Sequence, residues 1–443
     1  MDDAELLNLW SIGPTLVSTA FVFAFGACVG SFLNVVVHRL PKGMSLLTPP
    51  SRCPACGRRL SLHENLPVFG WFLAGGRCRS CGVRIGLEYP LVELGVGVLF
   101  AILYVLFFET RFGPGIGGVT NPWWHLHGAI ATAPAFLAVL GLCAALVAAS
   151  LIDARSYLIP GEITRTAALL GVGGLLVQSL TPGTGPTLRG WWAVSLPEWP
   201  ATITAFAGMA GLALSWILLR TGRLTPSFAD YDQYLEPGET FARYPHARRE
   251  MIRELLFLAP CMAAITASML LRDRLPQGMP PLPIGALGAS AMGFLVGGGV
   301  IWAIRILGSL SFGREAMGMG DVHLMAAVGA TLGWVDPLVA LVPGIVLALA
   351  WTMSARGVAI LRGRSPRELP LGPYLAIGTL LVVLLRPAFV ELGRFVVPAW
   401  IDEARPGLFT SGPPSVAITN RAAEPAPSAG AESIERRWRQ KGV

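Results

Sequence analysis

Charged residues are scarce in this chain. Asp, Glu, Lys and Arg make up 14% of its 443 residues, whereas hydrophobic residues make up 53% and the mean hydropathy is +0.58. This composition excludes an ordinary soluble protein and indicates a polytopic membrane protein. The basic start that a cleavable signal peptide needs is also lacking, because Met1 to Asn8 carries acids. We therefore expect the first hydrophobic run to remain as an anchor.

Long apolar runs are abundant instead. A helix needs roughly 20 apolar residues to cross the bilayer core, so we predict an all-α polytopic membrane protein with about ten transmembrane helices. The run before Trp334 is short for a crossing unless it tilts or continues by a turn. The predicted spans are 14–37, 89–109, 129–152, 163–181, 201–220, 253–271, 284–308, 322–334, 335–355 and 373–391.

Positive charge is concentrated in alternate loops. The segments 39–84 and 356–367 hold eight and four Lys or Arg residues, whereas 110–128 and 182–200 hold one each. The positive-inside rule places these basic loops in the cytoplasm. With this orientation, Asp153 and Asp321 also lie at the cytoplasmic face. Basic loops at this surface would meet anionic membrane lipid, so the net charge of +7 does not call for nucleic acid, and we expect no nucleic-acid partner.

Two aspartates border the apolar runs. Asp153 closes the run 128–152, and Asp321 follows Gly318-Met319-Gly320 at the start of another. Carboxylates are costly beside hydrocarbon and are by default candidates for a functional site. If the two face each other, repulsion separates their titrations and leaves one acid and one base, an arrangement that activates water against a peptide bond. Each one alone is also compatible with an interfacial charge at a helix end.

Four cysteines form two Cys-x-x-Cys pairs in the first basic loop, and this spacing is typical of a zinc ribbon. A redox role would be expected beside a thioredoxin-like βαβ pattern, which is absent, and disulfides are disfavoured in a reducing cytoplasm. We predict structural zinc bound by Cys53, Cys56, Cys78 and Cys81. The other cysteines lie within apolar runs, and we expect them to be buried as small hydrophobic side chains: Cys28, Cys143 and Cys261.

Six motifs together resemble the type IV prepilin leader peptidase family, in the order of that family. They begin with a signature at 30–41 and continue with the four-cysteine module, which includes a short matching stretch, and with a further stretch directly after it. Three further motifs contain the two aspartates and a later Gly-Pro pair. In sequence order they are Gly30-Ser-Phe-Leu-Asn-Val-Val-Val-His-Arg-Leu-Pro41, the cysteine module with Glu64-Asn-Leu-Pro67, Tyr89-Pro-Leu-Val-Glu-Leu94, Ile152-Asp153 with Ile159-Pro160, Glu315-Ala-Met-Gly-Met-Gly-Asp321 and Leu369-Pro-Leu-Gly-Pro-Tyr374.

The resemblance implies a bifunctional enzyme of the bacterial inner membrane with its active sites facing the cytoplasm. It implies an aspartyl peptidase in which Asp153 and Asp321 are catalytic, and which removes the basic leader of pilin-like precursors. It also implies transfer of a methyl group from S-adenosylmethionine to the new N-terminal amine; no cofactor motif in the composition or periodicity supports this step. Methyl transfer is associated with Gly76 and Arg77, and the residues that support the peptidase motifs are Gly318, Gly320, Pro160, Gly372 and Pro373.

The chain departs from the family pattern in several places. Arg77 and His323 stand where lysine is common, and Gly161-Glu162 stands where an Asp is usual. A guanidinium does not replace an ammonium in geometry, and a histidine titrates near neutrality. The segment 200–290 is predicted to be an insertion of two extra spans around the polar stretch 221–252, which we interpret as a solvated connector or a small surface subdomain. An even number of crossings keeps both aspartates on one side.

The expected organisation has five parts. Residues 1–38 form the N-terminal transmembrane helix, 39–88 the cytoplasmic zinc-binding module, and 89–128 the second span and outer loop. Residues 129–400 form the peptidase membrane domain. The remainder, 401–443, is rich in Pro, Ala, Ser and charge without apolar periodicity and is predicted to be disordered.

Three alternatives stay open at the level of sequence. Paired carboxylates also serve proton relays, so a membrane transporter with a zinc-ribbon regulatory loop is one. The others are a peptidase without methyltransferase activity and a scaffold that has lost catalysis. Whether the precursors build pili or a type II secretion apparatus, and the oligomeric state, are left undecided.

Overall fold

A computed structural model describes residues 3–109, 122–187, 192–234, 244–361 and 370–396, all of which belong to one compact unit, Met1–Pro398. The predicted tail, 401–443, lies outside the described residues. So do parts of the outer loop and of the polar stretch. Within the described ranges the structure is helical, with two isolated β-bridges in the cysteine module. The helices are α1 (Asp3–Arg39), α2 (Phe69–Leu73), α3 (Glu88–Tyr104), α4 (Pro122–Ala131), α5 (Ala133–Ser156), α6 (Gly161–Leu180), α7 (Trp199–Arg220), α8 (Ala247–Leu270), α9 (Leu282–Phe312), α10 (Met319–Leu332), α11 (Val335–Leu361) and α12 (Gly372–Val396).

The prediction of an all-α membrane protein is confirmed. Among the described residues, eight helices are long and apolar enough to cross a bilayer, and two shorter apolar helices, Met319–Leu332 and Gly372–Leu385, account for the remaining predicted spans. The break beside Trp334 is real, because Gly333 takes a φ of 88° between α10 and α11. The eight long spans are Gly13–Lys42, Glu88–Glu109, Ala133–Ser156, Gly161–Leu180, Trp199–Arg220, Ala247–Leu270, Leu282–Phe312 and Val335–Gly357.

Two predicted spans are not continuous helices: 373–391 crosses non-helical angles at Leu385 (φ −125°, ψ 23°), and 129–152 is broken near its start. The run expected to form a single helix from residue 129 starts inside α4, and the chain kinks at Gly128 (φ 73°, ψ 169°) before α5 begins at Ala133. The Thr132 hydroxyl donates to the Gly128 carbonyl at 2.8 Å. The Thr132 N–H also donates to this carbonyl, at 3.2 Å, and the apolar periodicity across the kink gave no sign of the break.

Small residues allow the helices to pack closely. A Cβ on Gly293 of α9 or on Gly329 of α10 would overlap the backbone of the other glycine. On the other side of α9, the hairpin of α7 and α8 packs in the same way, since a Cβ on Gly211 would lie 2.5 Å from the Cα of Cys261. In a bilayer, such close backbone approach replaces the hydrophobic driving force that packs soluble proteins.

The prediction that the three isolated cysteines are buried is wrong for one of them. Cys143 and Cys261 are buried, but Cys28 is exposed. It lies on α1, a helix at the periphery of the bundle whose exposed side chains include Phe21, Phe25 and Phe32. An apolar span gives no indication of which of its faces meets protein and which meets lipid.

The cysteine module and Asp153 lie at the same end of the helix bundle. The module connects the last residues of α1 to the first of α3, where the Asn34 side chain donates to the Tyr89 carbonyl at 3.1 Å. In the last turn of α5, Arg155 forms a 2.8 Å ion pair with Glu88 at the start of α3. The C-terminal end of α5 is therefore next to the module.

Candidate active site and metal centre

Asp153 lies in the last turn of α5, which ends because Tyr157 adopts a left-handed conformation (φ 54°) and returns its N–H to the Asp153 carbonyl at 2.8 Å. The Asp153 side chain is buried, with 6% of the residue exposed. Its Oδ2 accepts a 3.1 Å hydrogen bond from the backbone N–H of Gly372, the first residue of α12. A residue 219 positions later in the chain thus orients this carboxylate.

Asp321 lies in the first turn of α10, following Gly318 at the N-cap. It is 7% exposed, and its Oδ1 is a buried oxygen that finds no hydrogen-bond partner within the described residues. A helix N-terminus favours a carboxylate. Gly320, directly before Asp321, and Gly372, which donates to Asp153, both lie against Ile159, so the two aspartates belong to one site.

Ile159 packs against the two backbone segments that contain Gly320 and Gly372, close to Asp153. A Cβ on Gly320 would lie 2.8 Å from the Ile159 Cβ, and one on Gly372 would lie 2.9 Å from its Cδ1 and 2.6 Å from Asp153 Oδ2. Glycine at these two positions therefore permits a close approach. Gly318 has more space, since a Cβ there would meet Asp321 Oδ2 at an ordinary 3.7 Å.

Two prolines start the helices beside this site. Pro160 caps α6, accepting the Ile163 N–H at 3.1 Å, and Pro373 stands in the first turn of α12, where the lack of an N–H costs little. His323, two residues after Asp321, is exposed. Glu162, which departs from the family's usual Asp, is also exposed, and its side chain forms a 3.0 Å ion pair with Arg165.

The sequence analysis missed a buried arginine beside the motif loop, residues 313–318. Arg305 of α9 is 2% exposed and contacts Glu254 of α8 at 3.1 Å and Glu315 at 2.6 Å. It also donates to the Met317 carbonyl, directly before Gly318. The signal was available, because Arg305 and Glu254 both fall inside predicted apolar spans, where ionisable residues are rare.

The polar stretch 221–252 is not simply a solvated connector. Its last residues form the first turns of α8, in which Glu250 is completely buried and accepts the Phe228 N–H at 2.8 Å. Tyr244 donates a 2.5 Å hydrogen bond to Asp230, and this bond lowers the pKa of Asp230. Burial, followed by the bond to Asp230, raises the pKa of Tyr244 to about 12.

The four predicted zinc ligands converge. Their sulfur atoms all lie within 4.8 Å of one another, with 3.8 Å between the Sγ atoms of Cys53 and Cys81 and 4.0 Å between those of Cys56 and Cys78. A tetrahedral ion with Zn–S bonds of about 2.3 Å requires sulfur separations of about 3.8 Å. The separations of 3.8 and 4.0 Å match this geometry, so the four thiol groups fit zinc.

Each cysteine pair lies in the same kind of turn. The N–H of Cys53 donates to the Arg58 carbonyl and that of Cys78 to the Val83 carbonyl, each at 2.9 Å, and a glycine follows each pair with a φ near 70°. Hydrogen bonds from the backbone of Cys81 and then Ser80 lower the pKa of the Cys78 thiol to about 6. A backbone hydrogen bond from Val83 lowers the pKa of Cys81, but burial and the neighbouring thiols outweigh it and raise that pKa to about 11.

Gly76 and Arg77 lie directly before the third ligand. Gly76 is buried with a φ of 65°, and a Cβ there would lie 2.7 Å from the ring of Trp71, whose backbone carbonyl accepts the Gly76 N–H at 3.0 Å. Arg77 is exposed. The structure thus places a cation on the module surface, next to a turn that only glycine fits.

The arrangement is suited to hydrolysis. Where two buried carboxyl groups at one site share a proton, one can take a proton from water while the other donates one. Both lie in terminal turns of their helices, at the end of the bundle that carries the cysteine module, and not at the midplane positions typical of transporter sites.

Comparison with known proteins agrees with these features. The family model described as the bacterial peptidase A24 N-terminal domain matches residues 24–107. A prepilin leader peptidase/N-methyltransferase of Klebsiella pneumoniae is 30% identical over 220 residues, covering 48% of this chain and 80% of that relative. One of Burkholderia pseudomallei (strain 1026b) is 28% identical over 393 residues, covering 82% and 84%.

A shorter stretch is more similar still. A prepilin leader peptidase/N-methyltransferase of Myxococcus xanthus (strain DK1622) is 54% identical over 80 residues, which cover 18% of this chain and 24% of that relative. No solved structure matches the chain. On the family model and these relatives together, the chain belongs to the prepilin leader peptidase/N-methyltransferase family.

Proposed function

We propose that this membrane protein removes the leader of prepilin-like precursors and methylates the new N-terminal residue. Membership of a family whose relatives are named prepilin leader peptidase/N-methyltransferase supports both activities. The observation that carries the peptidase is the meeting of two buried aspartates, Asp153 and Asp321, beside Gly372 and Ile159.

Asp153 and Asp321 are the catalytic pair in this proposal. The ionised member of the pair removes a proton from water as the water attacks the scissile carbonyl, while the protonated member donates its proton to the developing oxyanion. As the intermediate collapses, the first member gives its proton to the leaving amine and the second regains a proton from the intermediate's hydroxyl. Gly372 fixes Asp153 through its N–H, while the unpartnered Oδ1 of Asp321 is available to the substrate. Gly318, Gly320, Pro160 and Pro373 support this geometry.

The substrate has a basic leader followed by an apolar helix in the membrane. A helix at membrane depth keeps its peptide groups hydrogen-bonded internally, so the bond to be cut must be unwound before water can attack it. A site in the terminal turns of α5 and α10, at one end of the bundle, is where such unwinding costs least.

Methylation is assigned to the cysteine module. When bound, S-adenosylmethionine supplies an electrophilic methyl group for the new amine. Gly76 and Arg77 are the proposed residues for this step, and zinc bound by the four cysteines holds their turn in place. Metal ligands that close such turns contribute directly to the folding free energy of small modules.

The orientation follows from charge. The cysteine module and its arginines lie at the same end of the bundle as Asp153, and the positive-inside rule directs that end to the cytoplasm. We place the protein in the bacterial inner membrane, with the basic module facing anionic lipid. A pilus and a type II secretion apparatus are both compatible destinations for the product.

Intact mass of a pilin-like precursor tests the proposal. The precursor is incubated with S-adenosylmethionine in membranes containing the wild type or Asp321→Asn. We expect loss of the leader and a gain of about one methyl group with the wild type only. A panel of precursors with pilin-like and pseudopilin-like leaders, all left intact by the wild type, would overturn the peptidase proposal.

A further inference from the structure

The buried ion pair of Arg305 and Glu254 links two parts of the protein that the proposed mechanism keeps apart. Glu254 belongs to α8, in the segment predicted to be inserted. Arg305 belongs to α9, and both residues are 2% exposed. The guanidinium contacts both oxygens of Glu254, with Nε at 3.2 Å from Oε2 and Nη2 at 3.1 Å from Oε1.

The remaining donors of Arg305 reach the motif loop. Its Nη1 forms a 2.6 Å ion pair with Glu315 and donates to the backbone carbonyl of Met317. Met317 directly precedes Gly318, the N-cap of the helix that carries Asp321. The arginine therefore holds the backbone four residues before Asp321, a proposed catalytic carboxylate.

Other contacts fix the pair itself. Trp302 donates from its Nε1 to Glu254 Oε2 at 2.7 Å, and the Arg305 guanidinium lies 5.4 Å from the ring centroid of Phe228. A second contact fixes the motif loop to α9: the Ala316 N–H donates to the Ser309 hydroxyl at 3.0 Å.

Stability alone does not account for such a pair. Removing two charges from water is costly, and replacing a buried ion pair by neutral side chains of similar volume is often neutral or stabilising. A planar fork with five donors is, however, suited to fixing several acceptors at once. Here those acceptors come from α8 and from both sides of Ala316 in the motif loop.

We infer that Arg305 and Glu254 are positioning residues that set the motif loop, and that the hairpin of α7 and α8 thereby forms part of the peptidase. The inference rests on the proposed peptidase function. It assigns to the inserted segment a role in the cleavage step, through the placement of Asp321 rather than through contact with the substrate.

The test compares a charge-balanced double variant with the wild type. Arg305→Met with Glu254→Gln removes the pair without leaving a lone buried charge, so we expect the melting temperature to stay close to wild type. The kcat for cleavage should fall at least ~10-fold with KM unchanged, because misplacement of about 1 Å can cost ~100-fold. Methylation of a precursor peptide that lacks the leader, and so already has a free N-terminal amine, should be unaffected.

Two further variants sharpen the result. Arg305→Lys keeps the charge but loses the fork, so its kcat should lie between those of the double variant and the wild type. Arg220→Met is the matched control on the same hairpin: its exposed guanidinium stacks on Trp216 at 4.1 Å, and its loss should change neither activity.

Wild-type kcat in the double variant would overturn the inference. If that variant fails to fold, Glu315→Ala decides, because its side chain is 39% exposed and its removal should spare the fold. A fall in kcat would then support positioning, and an unchanged kcat would overturn it. A wild type that cleaves no precursor would overturn the proposed function instead, so the two failures are distinguishable.

Discussion

The cysteine module and the aspartate site use opposite strategies to bring side chains together. All four thiols of the module come from residues 53–81, and two similar turns set their geometry. The aspartate site joins residues 153, 321 and 372 from three helices. A local metal site depends on turn chemistry, whereas the carboxylates depend on the packing of the bundle. The two sites should therefore fail independently when one of them is altered.

The largest expected effect comes from removing one of the two proposed catalytic carboxylates. Asp153→Asn should lower the cleavage rate at least ~10³-fold, as loss of a catalytic group commonly does. Zinc content should remain at wild-type level, because Asp153 lies outside the module. Quantified cleavage and metal analysis of the same preparation check both, and wild-type cleavage would rule out the pair.

Loss of one thiol should give the reverse result. Cys56→Ser removes one of four ligands, so we expect loss of zinc and of methylation, since metal binding and folding of such modules are coupled. Cleavage should persist, because α5, α10 and α12 contact one another directly, outside the module. Full methylation by a zinc-free variant would contradict this division.

A single methyl group should disturb the aspartate site without touching the module. Gly372→Ala places a Cβ 2.6 Å from Asp153 Oδ2, so we expect cleavage to fall ~10- to 100-fold. Gly173→Ala is the control, because a Cβ there meets nothing within 4 Å. Comparing the cleavage rates of the two variants separates crowding at Asp153 from a general effect of alanine in a helix. Equal rates would show that Gly372 is not needed to orient Asp153.

A matched glycine pair probes the module in the same way. Gly75 and Gly76 both have positive φ, 61° and 65°, so alanine at either should cost about 1–2 kcal/mol. Only Gly76→Ala also meets the Trp71 ring, which should add further loss through overpacking. Resistance of bound zinc to a chelator should therefore fall further in Gly76→Ala. Identical resistance in the two variants would show that the Trp71 ring does not exclude a side chain at position 76.

The smallest effect is expected where the two regions touch. Arg155 and Glu88 form an ion pair whose side chains are 50% and 57% exposed. Exposed pairs contribute less than about 1 kcal/mol, so Arg155→Gln should leave stability, cleavage and methylation nearly unchanged. A large loss of either activity would mean that the module and the aspartate site act as one unit.

Several features could be read from the sequence because their signals are local. The Cys-x-x-Cys spacing predicted a set of thiols that the structure brings together, and apolar runs predicted ten helices, of which two are short. The kink at Gly128 and the exposure of Cys28 were not predictable, because hydropathy reports how apolar a segment is and not which face is covered.

The sequence by itself determined that this is an all-helical membrane protein with a four-cysteine module and two carboxylates at span ends, since these follow from composition, spacing and run length. Only the tertiary structure decided that Gly372 orients Asp153, that Ile159 lies against both Gly320 and Gly372, and that Arg305 connects α8 to the motif loop. These contacts join residues that are distant in the chain, so they form only when the helices pack closely against one another.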